Sequence, residues 1–341
     1  MDTSAAVLVT GANGHVGSNL VAALVDRGYS VRASVRDAND TSKTKALPRD
    51  KVELVSLDVR NAERFKEVSE GIDLLFHVAA TYKNYVASQA EADDMVRDSL
   101  EGARSAILAA AANRIKKLVL TSSVVTVPLV TRGGPATTED DWRTEFKVPY
   151  HRAKTLAERD AWKLAKEHGV NLVTVLPGAI LGPGFERGTA STDTIESIML
   201  GGMRMGAPDT NFPAVDIRDV VSGHILVAEK DTSGRYIFVN DVLPEFIDIT
   251  RIMHAIDSSV PAAPRMLPDM ALTFGAFFDW LNQRTLGAPR TLGSEFIAAV
   301  RGKVWTMSNA RAKKELGWRQ TITLEQSLAD TMSTLRRLRG R

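Results

Sequence analysis

Apolar positions in the first half of the chain form short continuous runs separated by stretches of helical period. Val7-Leu8-Val9 reads as a buried strand, and Val16, Leu20, Ala23 and Leu24 carry helical spacing over 16–27, with Gly28 just past the last turn. Strands are predicted over 30–35, 52–57, 74–78, 117–122 and 171–176, and helices over 62–69, about 87–112 and about 149–167. Unbroken apolar strands alternating with helices imply a parallel sheet covered on both faces, because a parallel neighbour requires a long crossover. The expected fold class is α/β, a doubly wound parallel sheet of the dinucleotide-binding kind.

After Pro177 the rhythm changes. Residues 178–210 are rich in glycine, threonine and methionine and read as irregular chain that builds a pocket. A strand-turn-helix pattern returns over 215–229, another strand is predicted over 236–239, and the chain from Phe246 onward is mostly helical. The domain reading is a nucleotide domain over 1–177, rejoined by 213–230. A smaller, discontinuous C-terminal substrate lobe takes 178–212 and 235–330.

The bulk numbers narrow the class. With 341 residues and 44% hydrophobic positions the chain can bury a large core, and 25% charged residues is ordinary for a globular protein. A formal net charge of +2 gives no electrostatic footprint for nucleic acid, and the basic tail Arg336-Arg337-Leu338-Arg339-Gly340-Arg341 reads as a solvated terminus. There is no cysteine, which excludes disulfides, thiolate metal sites and a cysteine nucleophile, and no metal site is expected. Met1-Asp2-Thr3-Ser4 carries no basic targeting region. The best membrane candidate, Met270 to Leu281, is short and contains Asp279, so no span and a cytoplasmic location are expected. A monomer and a homodimer are both compatible with this composition.

Candidate chemistry begins at the first strand–helix junction, Thr10-Gly11-Ala12-Asn13-Gly14-His15-Val16-Gly17. Gly11 can make the tight turn, Gly14 admits a pyrophosphate to the backbone, and Gly17 lets the helix pack closely. The helix N-terminus offers its unpaired N–H groups to phosphate. Asn13, His15 and Val16 belong to the same cofactor-binding turn. An NAD site usually carries a carboxylate at the end of the second strand; here Arg36 stands there, with Asp37 only after it and Lys43 further on. A guanidinium can pair bidentately with a 2′-phosphate, so NADP(H) is preferred and NAD(H) is the alternative. Asp58 and Val59 follow the third strand and are placed for adenine. Val78, Ala79 and Ala80 follow the fourth and admit close backbone approach, while His77 reads as a core histidine.

Tyr150 and Lys154 are four apart on a predicted helix, hence on one face. A phenol titrates near pH 10 unperturbed, and a neighbouring ammonium, together with the positive nicotinamide ring of the oxidised cofactor, favours its ionised form and brings it nearer working pH. Tyr150 would then protonate the alkoxide that forms as hydride arrives, and Lys154 would also hold the nicotinamide ribose. Thr121, Ser122 and Ser123 end the preceding strand at the carboxyl edge where such sheets bind ligands. Ser123 is the candidate partner of the substrate oxygen, with Ser122 as the competing choice.

These residues, with Val-Arg-Ala-Ser-Val-Arg-Asp at 31–37, Leu-Val-Leu-Thr-Ser-Ser at 118–123, Glu139-Asp140-Asp141-Trp142, Val175-Leu176-Pro177-Gly178, the run 214–220 and Glu315-Leu316-Gly317-Trp318, carry a resemblance. The chain resembles extended short-chain dehydrogenase/reductases of the NAD-dependent epimerase/dehydratase superfamily. Within them it is similar to the dihydroflavonol reductase, cinnamoyl-CoA reductase and 3β-hydroxysteroid dehydrogenase-like branch. The resemblance implies a Rossmann sheet, a Ser-Tyr-Lys catalytic set, and Pro177, Gly178, Ala179 and Ile180 lining the nicotinamide, with Ser191 near the phosphates. Many relatives carry an asparagine where this chain has Ser99, so Ser99 or water would complete any proton relay.

The segment 268–305 is similar to that of bacterial reductases and sugar epimerases of the same superfamily. Phe274, Phe277, Phe278, Trp280 and Leu281 are candidates either to cover an apolar substrate or to pack a core helix. Met199, Met203 and Met205 either line an adaptable pocket or fill the core. The expected activity is NADPH-dependent reduction of a fairly apolar ketone or aldehyde, reversible as alcohol oxidation. The alternatives are an NAD-dependent nucleotide-sugar epimerase or dehydratase and a non-catalytic NADP-binding regulator.

Overall fold

The computed structural model of the chain describes residues 5–80, 86, 88–268, 274–287 and 294–340. Met1–Ser4, Met270 and Arg341 therefore lie outside the described residues, as does the side chain of Phe278. In chain order the elements are β1 (Ala6–Thr10), α1 (His15–Asp26), β2 (Ser30–Val35), β3 (Val52–Ser56), α2 (Ala62–Val68), β4 (Leu74–His77), α3 (Gln89–Ala112) and β5 (Lys117–Thr121). They continue with β6 (Val130–Thr131), α4 (Pro149–His168), β7 (Leu172–Pro177), β8 (Ala179–Leu181), α5 (Ala190–Met199), β9 (Ala207–Pro208), β10 (Ala214–Asp216), α6 (Ile217–Glu229), β11 (Gly234–Phe238) and α7 (Phe246–Ile256).

Seven strands form one parallel sheet in the order β11-β7-β5-β4-β1-β2-β3. The chain winds outward from β1 through β2 to β3, then returns to the other side of β1 with β4. That reversal leaves a crevice beyond the carboxyl ends of β1 and β4, where ligands bind in such sheets. Alternation along each strand assigns the two faces. Val7 and Val9 pack with Leu20, Leu24, Val119, Val173, Phe238 and Trp318 in one core, which α1 and α6 cover. Leu8 packs with Phe65, Leu75, Leu118, Ala106 and Ala161 in the other, under α2, α3 and α4.

A third core, including Leu181, Phe185, Ile195, Phe212, Phe246, Ile249, Leu328 and Met332, belongs to the smaller lobe. It joins α5, α7 and the C-terminal helix Leu324–Arg339. One boundary differs from the sequence reading. Gly234–Phe238 pairs in parallel with β7 from Gly234↔Val173 to Phe238↔Pro177, so the return to the central sheet runs past 230 into the stretch assigned to the lobe. Trp318 also packs on the nucleotide-side core, edge-on to Phe238 at 5.3 Å with its indole N–H donated to the Asp219 carbonyl. Among the described residues no helix is long and apolar enough to cross a membrane.

Candidate active site

The crevice is built first by Thr10 at the end of β1. Its hydroxyl accepts the N–H groups of Val78 and Ala79, both at 3.2 Å, so its single proton goes to Nδ1 of His77 at 3.0 Å. His77 is thus held neutral, protonated on Nε2, and burial pushes its pKa down to about 3, with the Lys154 charge acting the same way. It is buried as expected and also lines the cavity. Gly11 lies in the left-handed region at φ +65°, and a Cβ there would sit 2.8 Å from the Ala79 Cα. A Cβ on Gly17 would sit 2.2 Å from the Gly11 carbonyl oxygen. These close approaches fold the turn against the exit of β4. Gly14 is the N-cap of α1 and has no side chain to occupy the first-turn N–H groups, which leaves a cradle suited to a pyrophosphate.

The side chain of His15 turns away from that cradle. Its Nε2 donates to the Pro183 carbonyl at 2.9 Å, and its ring meets Phe185 edge-on at 5.1 Å. Ser18 and Asn19 both reach the Gly184 carbonyl at 3.2 Å. The first turn of α1 is therefore pinned to the smaller lobe, and the backbone of Asn13 to Gly17 remains on the cavity wall.

At the far end of the crevice lie Arg36, Lys43, Asp58 and Val59, with Asp37, Asp40, Arg60 and Asp98, which sequence reasoning did not select. Asp58 is forked by Arg60 at 2.6 Å, which draws its carboxyl down to about pH 2. Lys43 is paired with Asp40 at 2.7 Å. Arg36 is exposed and makes no ion pair among the described residues.

The centre is set by α4. Pro149 occupies the first helical turn, where its missing N–H costs nothing, and Gly169 closes the helix at φ +66°. Tyr150, Lys154 and Glu158 then share one face at spacings of four. The Tyr150 phenol faces the Ser123 hydroxyl, which favours its ionised form. Lys154 Nζ donates to the Thr121 carbonyl at 3.0 Å. Burial pushes the Tyr150 pKa up to about 12, against the pull of the Ser123 hydroxyl. Burial brings Lys154 down to about 8, against the attraction of Glu158. The upward shift of Tyr150 arises because a phenolate sealed from water loses its hydration.

The three hydroxyls ending β5 point in different directions. Thr121 donates to Nε2 of His224 at 2.8 Å, since Nδ1 of that ring already donates to the Val220 carbonyl at 2.8 Å. Ser122 donates to Glu158 at 2.6 Å. Ser123 alone of the three meets Tyr150. Thr121 and Ser122 still line the cavity with their remaining atoms.

The cavity has a volume of about 840 Å³ and runs from Arg36 to the smaller lobe. Val78, Ala79, Ala80, Ser99, Pro177, Gly178, Ala179, Ile180 and Ser191 all line it. Its other end is walled by residues that periodicity did not single out, including His151, Phe212, Phe246, Ile297, Val300 and Trp305. Their side chains converge from four separate segments, so no local pattern marks them. The aromatic segment requires correction. Phe274 and Phe277 are 60% and 55% exposed, and Leu281 is exposed too, so they neither line the cavity nor pack a core. Trp280 contacts Phe277 and Arg284 instead. Met203 lines the cavity and Met199 packs on the lobe core, whereas Met205 is 68% exposed. For Phe274, Phe277, Leu281 and Met205, spacing marked positions that the tertiary fold turned to water.

The sheet order and the glycine turn at its switch point define a dinucleotide-binding α/β protein. The chain belongs to the NAD dependent epimerase/dehydratase family, which matches residues 7–239. It is similar to the cinnamoyl-CoA reductase CAD2 of Medicago truncatula, 30% identical over 77% of this chain and 84% of that one. An anthocyanidin reductase of Vitis vinifera is 32% identical over 70% of this chain and 77% of its own. The crystal structure of gox2253 superposes with a TM-score of 0.81 at 28% identity, covering 97% of this chain and 98% of that chain. The protein is accordingly an NAD(P)-dependent reductase of this superfamily.

Proposed function

We propose that this chain is an NADPH-dependent carbonyl reductase, reversible as an alcohol dehydrogenase, acting on a neutral and fairly apolar ketone or aldehyde. The observation that carries the reading is Tyr150 and Lys154 one helical turn apart, with Ser123 beside the phenol, on the wall of the cavity that also holds the glycine turn. The dinucleotide, when bound, supplies the hydride. Tyr150 is neutral below its raised pKa and so carries a proton for the substrate oxygen. As the carbonyl carbon gains hydride, its oxygen gains negative charge and takes the Tyr150 proton, with Ser123 donating a second hydrogen bond. The phenolate left behind is stabilised by the Lys154 ammonium and regains its proton from solvent.

Substrate class follows from the far wall. From Met203 to Trp305 the described lining residues are Met203, Pro208, Thr210, Asn211, Phe212, Pro213, Phe246, Ile297, Val300 and Trp305, none of them charged. The diphosphate of a nucleotide sugar calls for cations, and among the described residues that stretch offers none. Arg36, which makes no ion pair among the described residues, supports NADPH over NADH.

The test is a panel of apolar and aromatic carbonyls followed by NADPH absorbance, with Tyr150→Phe alongside. Stoichiometric oxidation of added NADPH is expected, and Tyr150→Phe should lower kcat by at least about 100-fold while cofactor binding stays largely intact. Near-wild-type turnover by Tyr150→Phe, or cofactor retained through turnover with no net oxidation, would defeat the reading.

A further inference from the structure

Behind the Ser-Tyr-Lys cluster lies a buried ion pair that the chemistry above does not use. Glu158 is 1% exposed and accepts from three elements at once. Ser122 Oγ reaches one carboxylate oxygen at 2.6 Å; Thr174 Oγ1 of β7 and Arg235 Nε of β11 reach the other at 2.7 and 2.9 Å. Arg235 is anchored in turn by the Thr126 hydroxyl at 2.8 Å and the Glu139 and Asp141 carbonyls, and it stacks on Trp142 at 3.6 Å. A carboxylate this deep is costly unless its charge and lone pairs are matched, and here they are.

We propose that Glu158 is the positioning residue of the catalytic cluster, tethering the Ser122–Ser123 backbone from below and supplying the negative charge that keeps Lys154 an ammonium. The tether is direct: Ser122 precedes Ser123, and its hydroxyl bond to Glu158 turns the two side chains apart, leaving Ser123 to Tyr150. The charge acts over one helical turn, at roughly 5–6 Å between Cβ atoms. Among the described residues the other groups around Lys154 do not replace it. Tyr150 on the same helix is a neutral phenol, His77 of β4 is a neutral imidazole, and Thr121 of β5 offers a carbonyl. The α3–α4 pairs Asp93–Arg152 and Arg104–Asp160 are internally balanced and lie toward solvent. Around Glu158 itself the facing charge is Arg235, which without the carboxylate would add a second cation beneath Lys154. Burial already lowers Lys154 and Glu158 opposes that shift.

The proposal rests on the Ser-Tyr-Lys reading, and the experiment separates the two. Glu158→Gln keeps size and most hydrogen bonding but removes the charge. In pH profiles of kcat for carbonyl reduction, its alkaline midpoint should fall by about one unit, with NADPH binding retained at pH 6. Ser122→Ala keeps the charge and cuts the tether; its kcat should fall several-fold with the midpoint unmoved. Equal midpoints for wild type and Glu158→Gln, or wild-type kcat in Ser122→Ala, would overturn the proposal. If Glu158→Gln does not fold, Ser122→Ala decides by the same criterion. Tyr150→Phe in the same series reports on the underlying reading alone, since retained turnover there would fault the tyrosine and not Glu158.

Discussion

Gly17→Ala probes how the first turn of α1 makes a cofactor site. Gly17 has no unusual backbone angle, so the cost of a side chain there is purely one of space. The added methyl would lie 2.2 Å from the Gly11 carbonyl oxygen and 2.9 Å from the Ala12 Cα, where real Cβ contacts stay above 3.0 Å. Both obstacles are backbone, so α1 and the turn must separate by at least 0.8 Å, the difference between 3.0 and 2.2 Å. Overpacking of this kind costs about 1–3 kcal/mol. Alanine in place of glycine within a helix returns about 0.5–1 kcal/mol, leaving a net loss of roughly 0–2.5 kcal/mol. The effect on NADPH should be larger. The Gly11 oxygen also accepts from Gly14 N–H at 3.0 Å, so displacing it moves the N–H cradle itself. Loss of one charge-assisted phosphate contact, about 1.5–3 kcal/mol, is more than tenfold in affinity. Urea unfolding and NADPH fluorescence titration measure the two separately. Gly28→Ala is the control: Gly28 has φ +87° with nothing within 4 Å of a Cβ, so it should lose about 1–2 kcal/mol of stability and no affinity. Wild-type NADPH affinity in Gly17→Ala would refute the reasoning.

Arg36→Ala should raise the Kd for NADPH by roughly 10- to 150-fold, the equivalent of 1.5–3 kcal/mol, and leave NADH nearly unchanged. The gap should narrow with added salt because Arg36 is exposed, and equal losses for both nucleotides in parallel titrations would sink the 2′-phosphate assignment. Phe277→Ser replaces a side chain 55% exposed that does not line the cavity. It should change stability by less than about 0.5 kcal/mol and leave KM values of apolar substrates unchanged; a raised KM across the panel would return that segment to the substrate site.

Much of the nucleotide half could be read from local pattern. The strand-turn-helix from Ala6 to Asp26 is specified by residues within 21 positions of one another, so periodicity and glycine spacing carry it without tertiary knowledge. Tyr150 and Lys154 were legible for the same reason, because four residues on a helix fix a common face whatever surrounds them. The alternating strands likewise announced a doubly wound sheet, and only the edge strand Gly234–Phe238 fell outside the boundary assigned to it.

What the tertiary structure alone decided are the features that depend on partners far along the chain. Ser122 and Ser123 are indistinguishable in sequence; Glu158, 36 residues on, captures the first and frees the second for Tyr150. Thr121 is turned aside by His224, 103 residues away. The far wall needed Phe212, Phe246, Ile297 and Trp305 to converge, while Phe274 and Phe277, equally apolar, were left in water. The upward shift of Tyr150 also lay beyond local pattern, because the cost of stripping water from a phenolate is a property of the assembled packing around it. Local sequence determines which groups share a face; burial and long-range partners determine where each points and what charge it can carry.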